Sequence, residues 1–425
     1  MTQNIDQLVD RRHLLGELTS EDVFEKAYEF QKIIGAIRDR GMYPYFQPLE
    51  CNLGAEAIIR GKKVLMFGSN NYLGLTTHPK VREAAQEAIE KYGTSATGSR
   101  LLNGTLELHE TFEHEIAQFL GKEAALVFTT GYQVNLGIIS ALANKDTIVF
   151  LDKQNHASLY DAVLMSGAKP YFFKHNDSKD LKKALQQSPP QKGKLVAIDG
   201  VFSMEGDIAP LPDIVHVCRE YGARLLVDDA HALGVLGYKG QGTASHFGLN
   251  QEVDLIMATF SKSMASSGGY VAGSFAVIDY IKHFGRSMIF SASITPPNLA
   301  AARQALKILI QEPERVQKVA KNAKKLKKEL VSMGWQVGPT ETPIIPIHVG
   351  SDLTALMLWR DLLEAGVYVN PIVYPAVDKD RAILRVSTMA THTEDHLSEA
   401  LEAFQMVGER YNLLERKVIH VVRRS

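Results

Sequence analysis

The sequence predicts an α/β protein, a largely parallel sheet covered by helices and followed by a smaller α+β C-terminal domain. Two observations carry that expectation. From about residue 124, short continuous apolar runs alternate with helical segments, the pattern of successive βαβ units in a doubly covered sheet. After residue 295 the order changes to a long helical stretch and then a few strand-like runs between helices.

Near the start, Val23, Ala27, Phe30, Ile34 and Ile37 recur at helical spacing before Gly41, which predicts an amphipathic helix that packs as an arm. "GKKVLMFGSNNYLG" reads as a strand and a turn. "HPKVREAAQEAIEKYG" reads as a helix from Pro79 to Gly93, and "TLELHETFEHEIAQFLG" as one bounded by Thr105 and Gly121. Strands are then expected at "AALVF", "DTIVFLD", "KPYFFKHN", "KLVAIDGVFS", "ARLLVDDA" and "VDLIMATFS", the first four each followed by a helix, with "YVAGSFAVI" as a further, antiparallel strand. The stretch from "TPPNLAAARQ" to "ELVSMG" is a helical bridge. Beyond it "TPIIPIHVG", "GVYVNPIV" and "AILRVSTM" read as strands, and "LTALMLWRDLLEAG" and "TEDHLSEALEAFQMVGERYNLL" as helices, the last opened by a Thr391–Glu394 capping-box pattern. The expected division is an N-terminal arm and short strand segment over 1–60, a large domain over 61–295 and a C-terminal domain over 296–425.

Composition narrows the class. The 425 residues are 45% hydrophobic and 22% charged, ordinary for a globular protein with a sizeable core. A formal net charge of −1 gives no argument for nucleic acid or an anionic membrane. Two cysteines, Cys51 and Cys218, argue against a disulfide framework and fit a reducing compartment. The opening "MTQNIDQLVDRRHLLGEL" lacks the apolar core of a secretory signal, and no apolar run is long enough to span a bilayer. A cytoplasmic enzyme or binding protein is the expectation.

In open α/β sheets ligands bind beyond the carboxyl ends of the strands. There the sequence places "TTGYQ", "DKQNHAS", "DGVFSMEGD", "VDDAHALG" and "ATFSKS". Thr129, Thr130 and Gly131 directly precede a helix, whose free N–H groups suit a phosphate, although a plain strand-to-helix turn reads the same way. Asp228 and Asp229 end a hydrophobic strand, and a carboxylate there needs a cationic partner. Either alone could cap a helix or bind a metal, but no second cluster has metal-ligand spacing, and no metal is expected. His156 could be a structural hydrogen-bonder or could stack on a planar cofactor. Lys262, in a loop of small residues, joins these groups. A lysine beside a phosphate cradle, with a buried aspartate ahead of it, fits a Schiff base to pyridoxal phosphate and a partner for its pyridinium nitrogen. To attack, the amine must be neutral, so its pKa should be depressed.

The ordered segments "FGSNNYLGL", "YGTSATGSRLLNGT", "FTTGYQVN", "DKQNHAS", "DGVFSMEGD", "VDDAHALGVLG", "GTASHFGL", "TFSKSMASSGGYVAG", "FSASITPP" and "LRVSTMATHT" resemble the α-oxoamine synthases, pyridoxal-phosphate enzymes of the fold-type-I aminotransferase superfamily. The resemblance covers nearly the whole chain and implies a mostly parallel seven-stranded-type sheet in the large domain. It implies Lys262 as the Schiff-base lysine, Asp228 as the pyridine-nitrogen partner and His231 at the ring's phenolic oxygen, with Ser203 nearby. His156 would stack on the ring and orient substrate. Gly131, Tyr132 and Thr259 would hold the phosphate, assisted by Ser261, and Arg385 would take the substrate carboxylate as a planar fork. Family active sites lie at a homodimer interface, so Asn71, Tyr72 and Ser291 are expected to reach a partner's site.

The segments "GSRLLNGTLELHE", "VLMFGSNNYLGLTTHP", "GDIAPLP" and "SKSMASSGG" point within that family to L-serine and palmitoyl-CoA as substrates, condensed to 3-ketodihydrosphingosine with loss of CO₂ and CoA. Relatives that use glycine or alanine share the catalytic set and remain the alternative. A simple aminotransferase would share Lys262 but not the outlying segments, and a non-catalytic partner subunit would lack the lysine. An amphipathic acyl substrate and product leave peripheral contact with the inner membrane open.

Overall fold

The computed structural model describes residues 22–414. The opening "MTQNIDQLVDRRHLLGEL" and the basic tail "ERKVIHVVRRS" lie outside those residues. The described residues open with helix α1 (Glu25–Asp39) and the sheet strands β1 (Cys51–Asn52), β2 (Glu56–Ile59) and β3 (Lys62–Met66). Helices α2 (Pro79–Tyr92) and α3 (Glu107–Leu120) follow. Proline at the first turn of α2 and a left-handed Gly121 after α3 mark two of their bounds.

The alternating region then folds as β4 (Ala124–Phe128), α4 (Gly131–Leu142), β5 (Thr147–Asp152), α5 (Ala157–Ser166), β6 (Lys169–Phe173), α6 (Ser178–Gln187), β7 (Gly193–Asp199), α7 (Leu211–Glu220), β8 (Arg224–Asp228), β9 (Leu255–Thr259) and β10 (Gly269–Gly273). These strands make one seven-stranded sheet in the order β4-β10-β9-β8-β7-β5-β6. Only β10 runs against its neighbours, β4 and β9. The expected antiparallel strand is therefore present, but it stops at Gly273: "FAVI" opens helix α8 (Phe275–Phe284). Two apolar layers cover the sheet. Phe150, Val196, Val227 and Ile256 face one, and Val149, Leu195, Leu226 and Met257 face the other. Continuous burial on both faces is why these strands lack a polar alternation.

Helices α9 (Pro296–Gln311) and α10 (Glu314–Met333) then lead to β11 (Ile344–Gly350), α11 (Asp352–Glu364), β12 (Val367–Tyr368), β13 (Asn370–Ile372), β14 (Ala382–Ser387) and α12 (Glu394–Arg410). The expected bridge is thus two helices, broken at Glu312–Pro313 where proline cannot continue a helix. Helix α9 buries Leu299, Ala302 and Leu306 in the same layer as α2 and α3, so the large unit extends past residue 295. Conversely, β3 pairs in parallel with β12, and Leu65 and Phe67 enter the C-terminal core with Trp359 and Phe404. The chain between residues 61 and 70 thus ties the two units together.

Two local expectations change. The cap of α12 is Thr393, whose hydroxyl accepts the His396 N–H while the His396 ring accepts the Thr393 N–H, not Thr391 with Glu394; the helix begins two residues later than the pattern implied. Helix α1 packs only through its second half: Ile34 is buried, whereas Val23, Phe24, Tyr28 and Phe30 are exposed.

Candidate active site

A cavity of about 330 Å³ opens at the carboxyl ends of β7, β8 and β9, and Lys262 lines it with Gly131, Tyr132, His156, Asp228 and His231. Register places Asp199 and Asp228 side by side as the last residues of adjacent parallel strands, and Thr259 ends the next. Lys262 follows Thr259 by three residues, so it emerges from the same edge.

Burial drives the Lys262 amine down, and Arg385 adds to this; Asp228 pulls the other way, and the net result is about 8 instead of 10.5. Asp228 is buried, its Oδ2 accepting from Asn135 Nδ2 at 2.8 Å and its Oδ1 from the Ala230 N–H at 3.0 Å. Those two donors fix the carboxylate and leave acceptor capacity toward the cavity. Its neighbour Asp199 is pushed well above the usual carboxylate range by burial and by Asp228.

His156 caps α5 at the end of the β5 loop. Its N–H points at both Asp199 oxygens, at 3.3 and 3.2 Å. Its Nδ1 accepts the Ser158 N–H at 3.3 Å and lies 2.8 Å from Ser158 Oγ, which itself accepts from Asn135 Nδ2 at 2.8 Å. Nδ1 is therefore an acceptor, and the ring hydrogen sits on Nε2. A single amide, Asn135, thus orients both Asp228 and, through Ser158, the imidazole. His231 is buried and held well below the usual imidazole range by burial, with Lys262 and Arg385 adding to the effect; its Nδ1 lies 2.7 Å from the Tyr72 hydroxyl.

At the other wall, α4 begins at Gly131 with Thr130 as its cap. A Cβ on Gly131 would come within 2.6 Å of Thr259 Cβ, so only glycine lets the helix start this close. Thr259 Oγ1 sits 2.9 Å from Ser261 Oγ. The N–H groups of the α4 start and these hydroxyls could hold a phosphate. Tyr132 lines the cavity and donates to Asp161. Lys262, Asp228 and this cradle form a donor set that fits a phosphorylated pyridine aldehyde. Among the described residues no group of His, Cys, Asp and Glu side chains could hold a metal ion.

Arg385, buried in β14, reaches in from the C-terminal unit. Nε donates to Ser203 O at 2.6 Å, and Nη1 donates to Asn70 Oδ1 and Ser387 Oγ, both at 3.0 Å. Nη2 is buried without a partner. An unpartnered guanidinium nitrogen in a buried site is the feature a substrate carboxylate would satisfy.

The chain matches the class I and II aminotransferase family over residues 62–404. The chain belongs to that family. Its relatives narrow the match. It is 49% identical over 370 residues to a serine palmitoyltransferase of Sphingobacterium spiritivorum, covering 87% of this chain and 93% of that one. An 8-amino-7-oxononanoate synthase of Alkaliphilus oremlandii is 41% identical over 382 residues, covering 90% of this chain and 97% of that one. A solved structure of SPT with a PLP internal aldimine superposes with a TM-score of 0.90 at 36% identity, covering 93% of this chain and all of that one. The fold is accordingly the fold-type-I, aminotransferase-like α/β fold expected from the sequence.

The structure brings together Gly131, Tyr132, His156, Asp228, His231, Thr259, Ser261 and Lys262 in one cavity. Arg385 stands beside that lining, and four further expected residues lie outside it. Asn71 turns inward, its amide donating to Thr76 Oγ1 at 2.8 Å and its carbonyl oxygen accepting the Leu75 N–H at 3.0 Å, so it shapes its own loop. Tyr72 is fully buried and its hydroxyl meets His231 of the same chain. Ser291 accepts from Gln133 Nε2 at 3.2 Å within its own chain. Ser203 lines an adjoining groove and meets Arg385 only through its backbone carbonyl. Sequence reasoning missed Asn70, Asn135, Ser158 and Asp199. Asn135 was within reach of the pattern, four residues after Gly131 and so on the same helical face. Asn70 stayed hidden because no periodicity reveals which way a tight turn points its side chains.

Proposed function

We propose that this chain is a pyridoxal-phosphate-dependent acyltransferase that condenses L-serine with palmitoyl-CoA, releasing CO₂ and CoA and forming 3-ketodihydrosphingosine. The observation that carries the reading is Lys262 and the buried Asp228 lining one cavity, with the buried Arg385 near enough to depress the Lys262 amine, in a chain 49% identical to a serine palmitoyltransferase. Pyridoxal phosphate, when bound, supplies the electron sink for negative charge at the serine α-carbon.

The chain's own groups divide the remaining work. The α4 start, Thr259 and Ser261 would hold the phosphate. Asp228, fixed by Asn135 and the Ala230 N–H, would be the anionic partner of the ring nitrogen. His231 would serve the phenolic oxygen, and Tyr72 behind it fixes the ring of that histidine. Arg385 takes the serine carboxylate on Nη2. His156, with its hydrogen on Nε2, stacks over the site and orients that carboxylate. The Lys262 amine removes the α-proton, which leaves the carbon free to bond to the thioester carbonyl as the CoA thiolate departs. The bond to the carboxylate then breaks as CO₂, and the Lys262 ammonium returns a proton to the same carbon. Holding the breaking bonds in line is an orientation effect, and this accounts for the shared frame that Asn135 gives His156 and Asp228.

A groove of about 910 Å³ adjoins the cavity at His156, with Tyr160, Phe172, Phe202 and Pro375 among its walls. These apolar side chains could take an acyl chain, and Lys153, Lys174 and Arg381 on the same groove could meet the anionic groups of a CoA thioester. A homodimer with active sites at the interface and a cytoplasmic location, with peripheral contact to the inner membrane, belong to the same reading. No helix among the described residues is long and apolar enough to cross a membrane. The test is a titration of the cofactor-loaded protein with L-serine, glycine and L-alanine, followed by turnover with acyl-CoAs of different length. Serine should perturb the visible absorption at the lowest concentration and palmitoyl-CoA should turn over fastest. Tighter binding of glycine or alanine would move the chain to the other α-oxoamine synthases.

A further inference from the structure

Beside the cavity, the imidazole of His175 bridges two carboxylates that belong to different loops. Nδ1 lies 3.0 Å from Asp152 Oδ1, and Nε2 lies 2.8 Å from Asp207 Oδ2. Asp152 ends β5, directly before the turn that carries His156, and its oxygens also accept the Gln154 and Asn176 N–H groups, each at 2.8 Å. Asp207 closes the loop that begins at Gly200, and its carbonyl accepts the Phe202 N–H at 3.0 Å. That loop presents Ser203 O to Arg385 Nε. The His175 ring meets Phe202 edge-on at 4.5 Å, between the two loops. One side chain from the end of β6 therefore ties the loop of His156 to the loop that anchors Arg385.

We propose that His175, as an imidazolium held between Asp152 and Asp207, is a positioning residue that keeps His156 and Arg385 in register for the substrate carboxylate. The proposal rests on the reading that an amino-acid carboxylate binds at those two residues. Two nitrogens facing two carboxylates need two N–H donors, and only the doubly protonated ring supplies both. Burial works against that charge, but the hydrogen bonds that Asp152 and Asp207 accept from the ring outweigh it and carry the ring up to about 9. The other charged groups around it are Lys153, Lys174, Glu205, Asp378 and Arg381 on the adjoining groove. The bridge is fully present below the ordinary value of 6.5 and is lost as pH rises through about 9.

The experiment compares the cofactor-loaded wild type with His175→Asn and Asp207→Asn in spectral titrations with serine, glycine and alanine between pH 7 and 10. Retained visible absorption reports that each variant folds and holds cofactor. At pH 7.5 each variant should bind its best amino acid roughly tenfold more weakly, the scale of a lost charged hydrogen bond. The ratio of wild-type to His175→Asn affinity should shrink toward one above pH 9, because the wild type then loses the same bridge. Unchanged affinity, or a loss constant from pH 7 to 10, would overturn the proposal, since simple packing damage has no reason to titrate. If both variants lose cofactor as well as amino acid, the residue is structural and the proposal also falls. If the wild type binds none of the three amino acids, the functional reading fails and takes this inference with it.

Discussion

Replacing Arg385 with lysine tests the substrate end of the site without removing its charge. Arginine carries five N–H donors, and three are committed: one to Ser203 O, one to Asn70 Oδ1 and one to Ser387 Oγ. The two on Nη2 are left for a ligand. Lysine has three donors on a single nitrogen and cannot serve the carbonyl, the two side chains and a carboxylate at once. Arg385→Lys should therefore lose at least one charged hydrogen bond to serine, about 1.5–3 kcal/mol, or roughly 10- to 150-fold in serine affinity. The cofactor groups lie on the large unit, so the visible spectrum of the variant should stay close to wild type. A spectral titration with serine reads both quantities in one experiment. Serine affinity within about twofold of wild type would refute the assignment of Nη2 to the carboxylate.

Four shorter predictions follow from other contacts. Lys262→Ala should abolish turnover and leave cofactor that dialysis removes, whereas residual turnover would show that another base serves. Asp228→Asn keeps the side-chain shape but removes the anionic partner and one of the two acceptors that serve Asn135 and the Ala230 N–H, with turnover falling by about a hundredfold or more; near-normal turnover would dissociate Asp228 from the reaction. In cofactor-free protein Lys262 is an ammonium below about pH 8 and an amine above it, so the rate of cofactor uptake should rise with pH through that value. A rate that is flat between pH 7 and 9 would contradict the depressed amine. Asn70→Ala should weaken serine binding because it frees Arg385 Nη1, while Asn71→Ala should lower thermal stability by loosening its own turn; reversed effects would undo the distinction.

The βαβ alternation was legible because each strand from Ala124 to Thr259 is a continuous apolar run, and burial on both sheet faces demands that pattern. The cofactor groups were legible for a related reason: polar residues at strand ends stand out against such runs, as Asp228 does after "RLLV" and Lys262 after "LIMATFS". What stayed hidden depends on contacts between distant segments. Arg385 meets Asn70 across 315 positions, and His175 after β6 meets Asp207 beyond β7, with β5 lying between those strands in the sheet. The placement of α9 was hidden for the same reason. Its apolar face fits either unit by pattern, and only packing against α2 and α3 assigns it. The exposed front of α1 likewise shows that an amphipathic pattern specifies a face to be covered, not what covers it.

The central claim is that this chain joins serine to a palmitoyl thioester with loss of the serine carboxylate. The most direct measurement incubates cofactor-loaded protein with carboxyl-labelled L-serine and palmitoyl-CoA, and follows labelled CO₂, free CoA and the lipid product together. The account predicts one CO₂ and one CoA for each 3-ketodihydrosphingosine formed, and none of the three with Lys262→Ala. CoA release without CO₂, or product formation from glycine or alanine in preference to serine, would contradict it.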